Sequence, residues 1–405
     1  IMADTAQVTN LTQNPFDSRK SLVISLYMTL IGYGVLVGAP VIATAWSTLL
    51  GFSEVEVGRI AGADLGGLAL GGIATAYMIT KIDRRWLALL GALIAVLANL
   101  LCIKMVQYDQ VLWLRLLSGF GSGIFTSVAV SSLGACSRPA FAYNMMLLAF
   151  AFSQTLEVYF LPMLPMSGIY IVFIIGFLSS LPFLHWIPSL SDAESFSHTE
   201  QLKVANSQIS PGNSLPKFVP WLCLAAMVIT YINIGAYWTY INMAASADGA
   251  DPQWVNLVIT ISSAFSVVGC IFATLLSNRF GLLRPLLVTL VCMAVIVGML
   301  ANGITDKNIL VSVFSFNFLW IFIDVYQMST IANVDKKGRF ASLMPSAQGL
   351  GQWIGPNAAA SILGLNLGYP GVFLMCSSAA VIAMLIYAFM YLRFKKSIPA
   401  FAYAS

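Results

Sequence analysis

The sequence predicts an all-α polytopic membrane protein with twelve transmembrane helices, arranged as two pseudo-symmetric six-helix bundles with both termini cytoplasmic. Three observations predict this. Twelve apolar runs are each long enough to cross a bilayer, basic residues segregate to alternate loops, and basic loops recur at matching places in the two halves. Composition sets the frame: of 405 residues, 59% are hydrophobic and only 9% charged, and the mean hydropathy is +0.85. A soluble domain carries roughly 25% charged residues to cover its surface.

Within a bilayer every backbone polar group must be paired inside its own segment, so a span is a helix of about 20 apolar residues. Such runs fall at residues 22–46, 57–80, 86–104, 110–135, 140–164 and 167–188, then at 218–245, 253–277, 285–304, 309–331, 340–364 and 370–392. Their continuity excludes a barrel, whose strands would be alternating segments of about 10 residues. Residues 1–20 are polar and no cleavage site follows the first apolar run, so that run is expected to be a retained helix and not a signal peptide.

Lysine and arginine then give the orientation. Arg19, Lys20, the 81–85 loop, Arg138, Lys203, Lys217, Arg279, Arg284, the 336–339 cluster and the 393–396 cluster fall on one side, against Arg59, Lys104 and Lys307 on the other. The serine-rich stretch after residue 188 divides the spans six and six. The expected organisation is a tail (1–21), a first bundle (22–188), a linker (189–217), a second bundle (218–392) and a tail (393–405).

Several function classes drop out. The formal charge of +4 is dispersed in short clusters, which leaves no basic face for nucleic acid. The six cysteines stand singly without CxxC spacing, and His185 and His198 have no ligand neighbours, so no metal, disulfide framework or cofactor is expected. No loop carries a phosphate-cradling glycine run, an HExxH pair or a nucleophile with a partnered base, which disfavours an enzyme and leaves catalytic residues unassigned.

Lys81-Ile82-Asp83-Arg84-Arg85 between the second and third spans has its counterpart in Arg279-Phe280-Gly281-Leu282-Leu283-Arg284 between the eighth and ninth, and Arg138 likewise pairs with Arg339. Two six-helix repeats place a binding site between the halves near the bilayer midplane. With these loops, and with Arg115-Leu-Leu-Ser-Gly119-Phe-Gly121-Ser-Gly123 in the fourth span fitting RxxxGxGxG, the sequence resembles the major facilitator superfamily over nearly its whole length. The GxLaDRxGRR loop signature keeps only its basic tail at residues 76–85, while Asn278-Arg279-Phe280-Gly281 follows it better. The resemblance implies a secondary transporter working by alternating access, a monomer in the cell (inner) membrane, with membrane lipid, protons and a small organic solute as partners. Arg84, Arg85, Arg279 and Gly281 then read as gating residues or, equally, as topology signals. Gly119, Gly121 and Gly123 read as a packing face for close helix approach.

Ionisable residues inside spans are costly and each is a functional candidate. Asp64, Arg115 and Glu157 fall in the outer halves of the second, fourth and fifth spans, where they can meet: Arg115 paired with Asp64 or Glu157 would leave the other carboxylate free to titrate as a proton carrier, or the pair is a static buried ion pair. Asp324 stands alone in the inner half of the tenth. In the resembling family the first, fourth, seventh and tenth helices line the cavity, which here nominates Tyr33, Tyr231, Asn233, Tyr237, Trp238, Asn317 and Trp320, with Gln348 and Gln352 of the eleventh span added as amides one turn apart. An aromatic, amide-rich lining suits a partly apolar organic solute. The fifth span lacks the GxxxGPxxG pattern of proton-driven drug exporters; a related Gly351-Gln-Trp-Ile-Gly355-Pro356 lies in the eleventh and reads as packing with a kink. Proton-coupled uptake is therefore the favoured expectation, with proton-driven export of amphiphilic compounds the alternative.

Overall fold

The computed structural model describes residues 14–191, 216–276, 279–334, 340, 343–398 and 401. Most of the expected linker (192–215) and the basic cluster at 336–339 therefore lie outside the described residues. The described chain is helical, with no strand among these residues. Ten helices are long and apolar enough to cross a membrane, and two further segments complete the twelve expected spans.

The first of these two is α1, expected as one continuous helix and found as three abutting segments, Arg19–Gly32, Gly34–Val37 and Ala39–Leu50. The reason is local. Tyr33 and Gly38 sit near ψ 0°, and Pro40 has no N–H to continue the ladder, so it opens a new first turn. Gly51, at φ 75°, ends the helix in the left-handed conformation that a side chain would resist. Ser53 and Glu56 then form a capping box for α2.

The remaining helices are α2 (Glu54–Met78), α3 (Arg84–Lys104), α4 (Tyr108–Gly134), α5 (Pro139–Phe160), α6 (Met166–Ser180), α7 (Val219–Ala247), α8 (Pro252–Leu276), α9 (Leu283–Gly298), α10 (Asp306–Val334), α11 (Met344–Gly364) and α12 (Gly368–Phe394). The second exception is α11, whose Gln348, Gln352 and Asn357 lower its hydropathy; its cost in lipid is avoided because it lies between α2 and α7.

The packing repeats under exchange of the halves. α2 lies on α4 as α8 lies on α10, α3 on α6 as α9 on α12, and across the centre α2 meets α11 as α8 meets α5. Small residues set these approaches. A Cβ on Gly119 would fall 1.9 Å from the carbonyl oxygen of Asp64, and one on Gly123 would fall 2.2 Å from that of Leu68, so both glycines face α2. Gly121 instead faces α3 at Gly91. Gly351 and Gly355 bring α11 against α7 in the same way, with Pro356 inside the helix. Outward faces stay apolar, as Trp113, Leu385 and Leu392 illustrate.

Both ends of the described chain lie at the end of the bundle that carries the basic loops. Asn14 donates to the Ala135 carbonyl beside the α4–α5 connection (2.8 Å), and Arg284 at the start of α9 donates to Tyr391 near the end of α12 (2.9 Å).

Candidate functional site

Polar side chains gather in three places inside the spans. The first lies within the first bundle. The guanidinium of Arg115 (α4) donates through Nε and Nη2 to Oδ2 of Asp64 (α2), the one ion pair found among the described residues. Its Nη1 donates to Oδ1 of Asn99 (α3) at 2.8 Å, while Asn99 Nδ2 donates to Ser118 at 3.0 Å. Trp46 and Tyr170 wall the cation, their ring centroids 6.0 and 5.7 Å from it. Gly119, one turn past Arg115, is what lets α2 come close enough for the pair to form.

Of the two carboxylates within reach by depth, Arg115 pairs with Asp64 and not with Glu157. Glu157 (α5) is apart from Arg115, facing the broken part of α1, where a Cβ on Gly34 or Gly38 would meet its oxygens at 3.4 and 2.6 Å. Glu157 Oε1 accepts from Ser153 at 3.0 Å, and its enclosed Oε2 has no hydrogen-bond partner. Sequence counting placed all three groups at similar depth, but depth does not fix the direction in which a side chain leaves its helix.

The third place lies between the halves. A pocket of about 20 Å³ is lined by Tyr33 and Val37 (α1), Gln154 (α5), Tyr231 (α7), Asp324 (α10) and Gln348 (α11), among others. That volume admits about one water and no organic solute. Asp324, read from sequence as isolated, is instead bound into a network whose hub is Tyr231. Tyr231 donates its hydroxyl to Asp324 Oδ2 at 2.7 Å and accepts from Gln348 Nε2 at 2.9 Å and, at long range, from Trp320 Nε1. Asp324 Oδ1 is buried without a partner. Gln154 donates to Asn317 at 3.0 Å, which donates to Ser262 of α8, so α5, α8 and α10 are tied across the centre.

Of the residues nominated from sequence, Tyr33, Tyr231, Trp320 and Gln348 line this pocket. Asn317 stands behind it through Gln154. The others point elsewhere: Tyr237 stacks on Phe316 and bonds Ser312 inside the second bundle, Trp238 donates to the Val37 carbonyl across the halves, and Gln352 packs at Gly235. Asn233 is fully buried, with both amide atoms unpartnered. Gln154 was missed, although an amide in an apolar span is the signal that nominated Gln348. Among the loop residues, Arg85 donates to the Ile187 carbonyl (2.8 Å), Arg279 is exposed, and Gly281 takes φ 73° in the α8–α9 turn.

The ends of the central contact differ. At the end away from the basic loops, Arg59 (α2) donates to the carbonyl and side chain of Asn357 and to Ser361 of α11, Tyr369 to Glu54 Oε1 and Tyr240 to the Glu54 carbonyl. At the basic end no hydrogen bond joins the halves among the described residues, and a crevice of about 410 Å³ opens between α2, α4, α5 and α11.

The sequence profile described as Major Facilitator Superfamily matches residues 22–356. No curated protein sequence matches the chain. Among solved structures, a D-xylose-proton symporter aligns with TM-score 0.69 at 14% identity, over 90% of this chain and 96% of its own. The human organic anion transporter TETRAN aligns with TM-score 0.62, also at 14% identity, over 90% of this chain and 97% of its own. At this identity the likeness establishes the fold that is shared.

Proposed function

The chain belongs to the major facilitator superfamily, and we propose that it takes up a small, partly apolar organic solute together with protons, by alternating access, in the cell's inner membrane. The observation that carries this reading is Asp324, a carboxylate at the contact between the halves whose Oδ1 has no partner. Such a group can bind a proton where the solute binds, which is the minimum that coupling requires. Tyr231 holds Oδ2 and fixes the carboxylate toward the pocket. Tyr33, Trp320, Gln154 and Gln348 supply apolar area and sparse hydrogen-bonding groups for an organic solute. The D-xylose-proton symporter of the same fold is named for the same kind of coupling, which supports the reading by analogy only.

The test has two steps. A thermal-shift screen over organic acids, amino acids, sugars and cationic dyes finds a ligand, which stabilises the folded state. Proteoliposomes then report flux. Acidifying the outside drives accumulation of that solute, and Asp324→Asn abolishes the accumulation while leaving solute exchange without a gradient. If Asp324→Asn still accumulates solute against a gradient, Asp324 is not the coupling site. If instead an acid interior drives uptake of a hydrophobic cation and an acid exterior drives nothing, the protein is an exporter.

A further inference from the structure

We propose that the crevice at the basic end is an oxyanion site, in which Arg84 holds one carboxylate or phosphate group. Arg84 is the first residue of α3, and its guanidinium lies over the ring of Phe16, 4.6 Å from the centroid. Phe16 is itself only 2% exposed, so the cation is held from behind by an apolar wall. Its one hydrogen bond is long, from Nη1 to Ser132 Oγ at 3.4 Å, and its enclosed Nε has no partner.

The nearby acids are already engaged. Asp83 accepts from the backbone N–H groups of Arg85 (2.8 Å) and Leu190 (3.0 Å), and Asp17 accepts from the N–H and hydroxyl of Ser137. No carboxylate lines the crevice among the described residues; its polar lining is Arg84 with the hydroxyls of Thr75, Thr80, Ser127, Ser131 and Tyr143. A guanidinium offers five N–H donors in a planar fork and is costly to leave unpaired in a partly enclosed site. The partner that satisfies the fork is a planar or tetrahedral oxyanion, bound bidentately, with neighbouring hydroxyls donating to its remaining lone pairs. Volume agrees, since about 410 Å³ holds a small organic acid.

The site is distinct from the central pocket but adjacent to it. Pro345 lines the crevice and Gln348 lines the pocket, one turn apart on α11. A solute leaving the pocket toward the basic end therefore meets Arg84. The shared chemistry has two sources, a soluble organic acid or an anionic lipid headgroup, and neither depends on whether transport is proton-coupled.

Full-length protein in phosphatidylcholine nanodiscs would be dialysed against radiolabelled benzoate and, separately, inorganic phosphate. The wild type binds one of them; Arg84→Gln weakens that binding about tenfold or more, and Arg84→Lys, which keeps the charge without the fork, weakens it less. Ser131→Leu, which fills the crevice and leaves Arg84 in place, also weakens it. If phosphatidylglycerol in the disc competes with benzoate, or is retained by the wild type and not by Arg84→Gln in native mass spectrometry, the occupant is lipid and the site stands. Equal binding of benzoate, phosphate and phosphatidylglycerol by wild type and Arg84→Gln, or binding of none, overturns the proposal.

Discussion

The Asp64–Arg115 pair gives the sharpest test of how the first bundle holds together. Both side chains are buried, at 2% and 1% exposure, and the guanidinium is shared between Asp64 and Asn99. Arg115→Ala leaves a carboxylate with no cation in a wall of aromatic and aliphatic groups, and breaking a buried pair from one side costs about 3–5 kcal/mol. At 1.4 kcal/mol per tenfold, that is roughly 150- to 4,000-fold in the ratio of folded to unfolded protein. Asp64→Asn should cost a similar amount, because it strands the guanidinium. The double variant Asp64→Asn with Arg115→Met removes both charges and should recover most of the loss, keeping only the cost of an unpaired Asn99 oxygen, about 1–3 kcal/mol. The assay is a double-mutant cycle by reversible SDS unfolding in mixed micelles, followed by tryptophan fluorescence. Additive losses, with the double variant as unstable as the sum of the singles, would refute the reasoning. Transport then divides the roles: Arg115→Lys should lose less activity than Arg115→Ala, and equal losses would show that the fork, which lysine lacks, is what the site uses.

Three further outcomes follow from the geometry. Gly119→Ala places a methyl 1.9 Å from the Asp64 carbonyl, so α2 and α4 must separate; overpacking of this kind costs about 1–3 kcal/mol, whereas Gly51→Ala, with nothing within 4 Å, meets only backbone strain at φ 75°, and equal melting shifts for the two variants would contradict the packing account. Arg59→Ala removes three donated hydrogen bonds at the end away from the basic loops, which at about 0.5–1.5 kcal/mol each is a loss of about 1.5–4.5 kcal/mol and should raise maleimide labelling of a cysteine placed at Thr44 by roughly tenfold or more; unchanged labelling would remove Arg59 from the latch. Glu157→Gln keeps the shape of a group outside the central pocket and should retain at least half of the gradient-driven accumulation that Asp324→Asn loses, and the reverse order of losses would move the coupling site to the break in α1.

The helices were legible in the sequence because lipid leaves one way to satisfy a backbone, and the basic loops fixed their alternation. What escaped was direction around each helix axis. The family resemblance supplies lining helices, but Tyr237 and Trp320, both on such helices, diverge: one stacks inside its own bundle and the other lines the pocket. Asp64, Arg115 and Glu157 share a depth, yet only two meet, because a glycine face lets α2 approach α4 while Glu157 leaves α5 toward α1. The break in α1 was in principle readable, since Gly34, Gly38 and Pro40 each weaken a helix there, but an apolar count over residues 22–46 is blind to them. Gln154 was overlooked while Gln348 and Gln352 were selected as a pair; an amide alone in a span has the same need for a partner.

The unequal ends of the central contact constrain the cycle itself. Arg59, Tyr240, Tyr369 and Trp238 together donate six hydrogen bonds between the halves away from the basic loops. At about 0.5–1.5 kcal/mol net for each, they favour closure of that end by roughly 3–9 kcal/mol. A transporter whose two states both carry traffic keeps them within a few kcal/mol of each other, and a ligand moves the balance only by its difference in affinity for the two. Opening that end therefore needs either matching contacts made as the basic-end crevice closes, or ligand binding that favours the open form by a comparable amount. The glycines on α2 raise the requirement. A Cβ on Gly58, Gly62 or Gly66 would meet the side chains of Tyr240, Asn357 and Trp353, so those side chains are seated in the notches of α2. Tilting α2 against α11 therefore has to unseat Asn357 and Trp353 as well as break the hydrogen bonds at the end of the contact, and the compensating contacts or ligand binding must cover both.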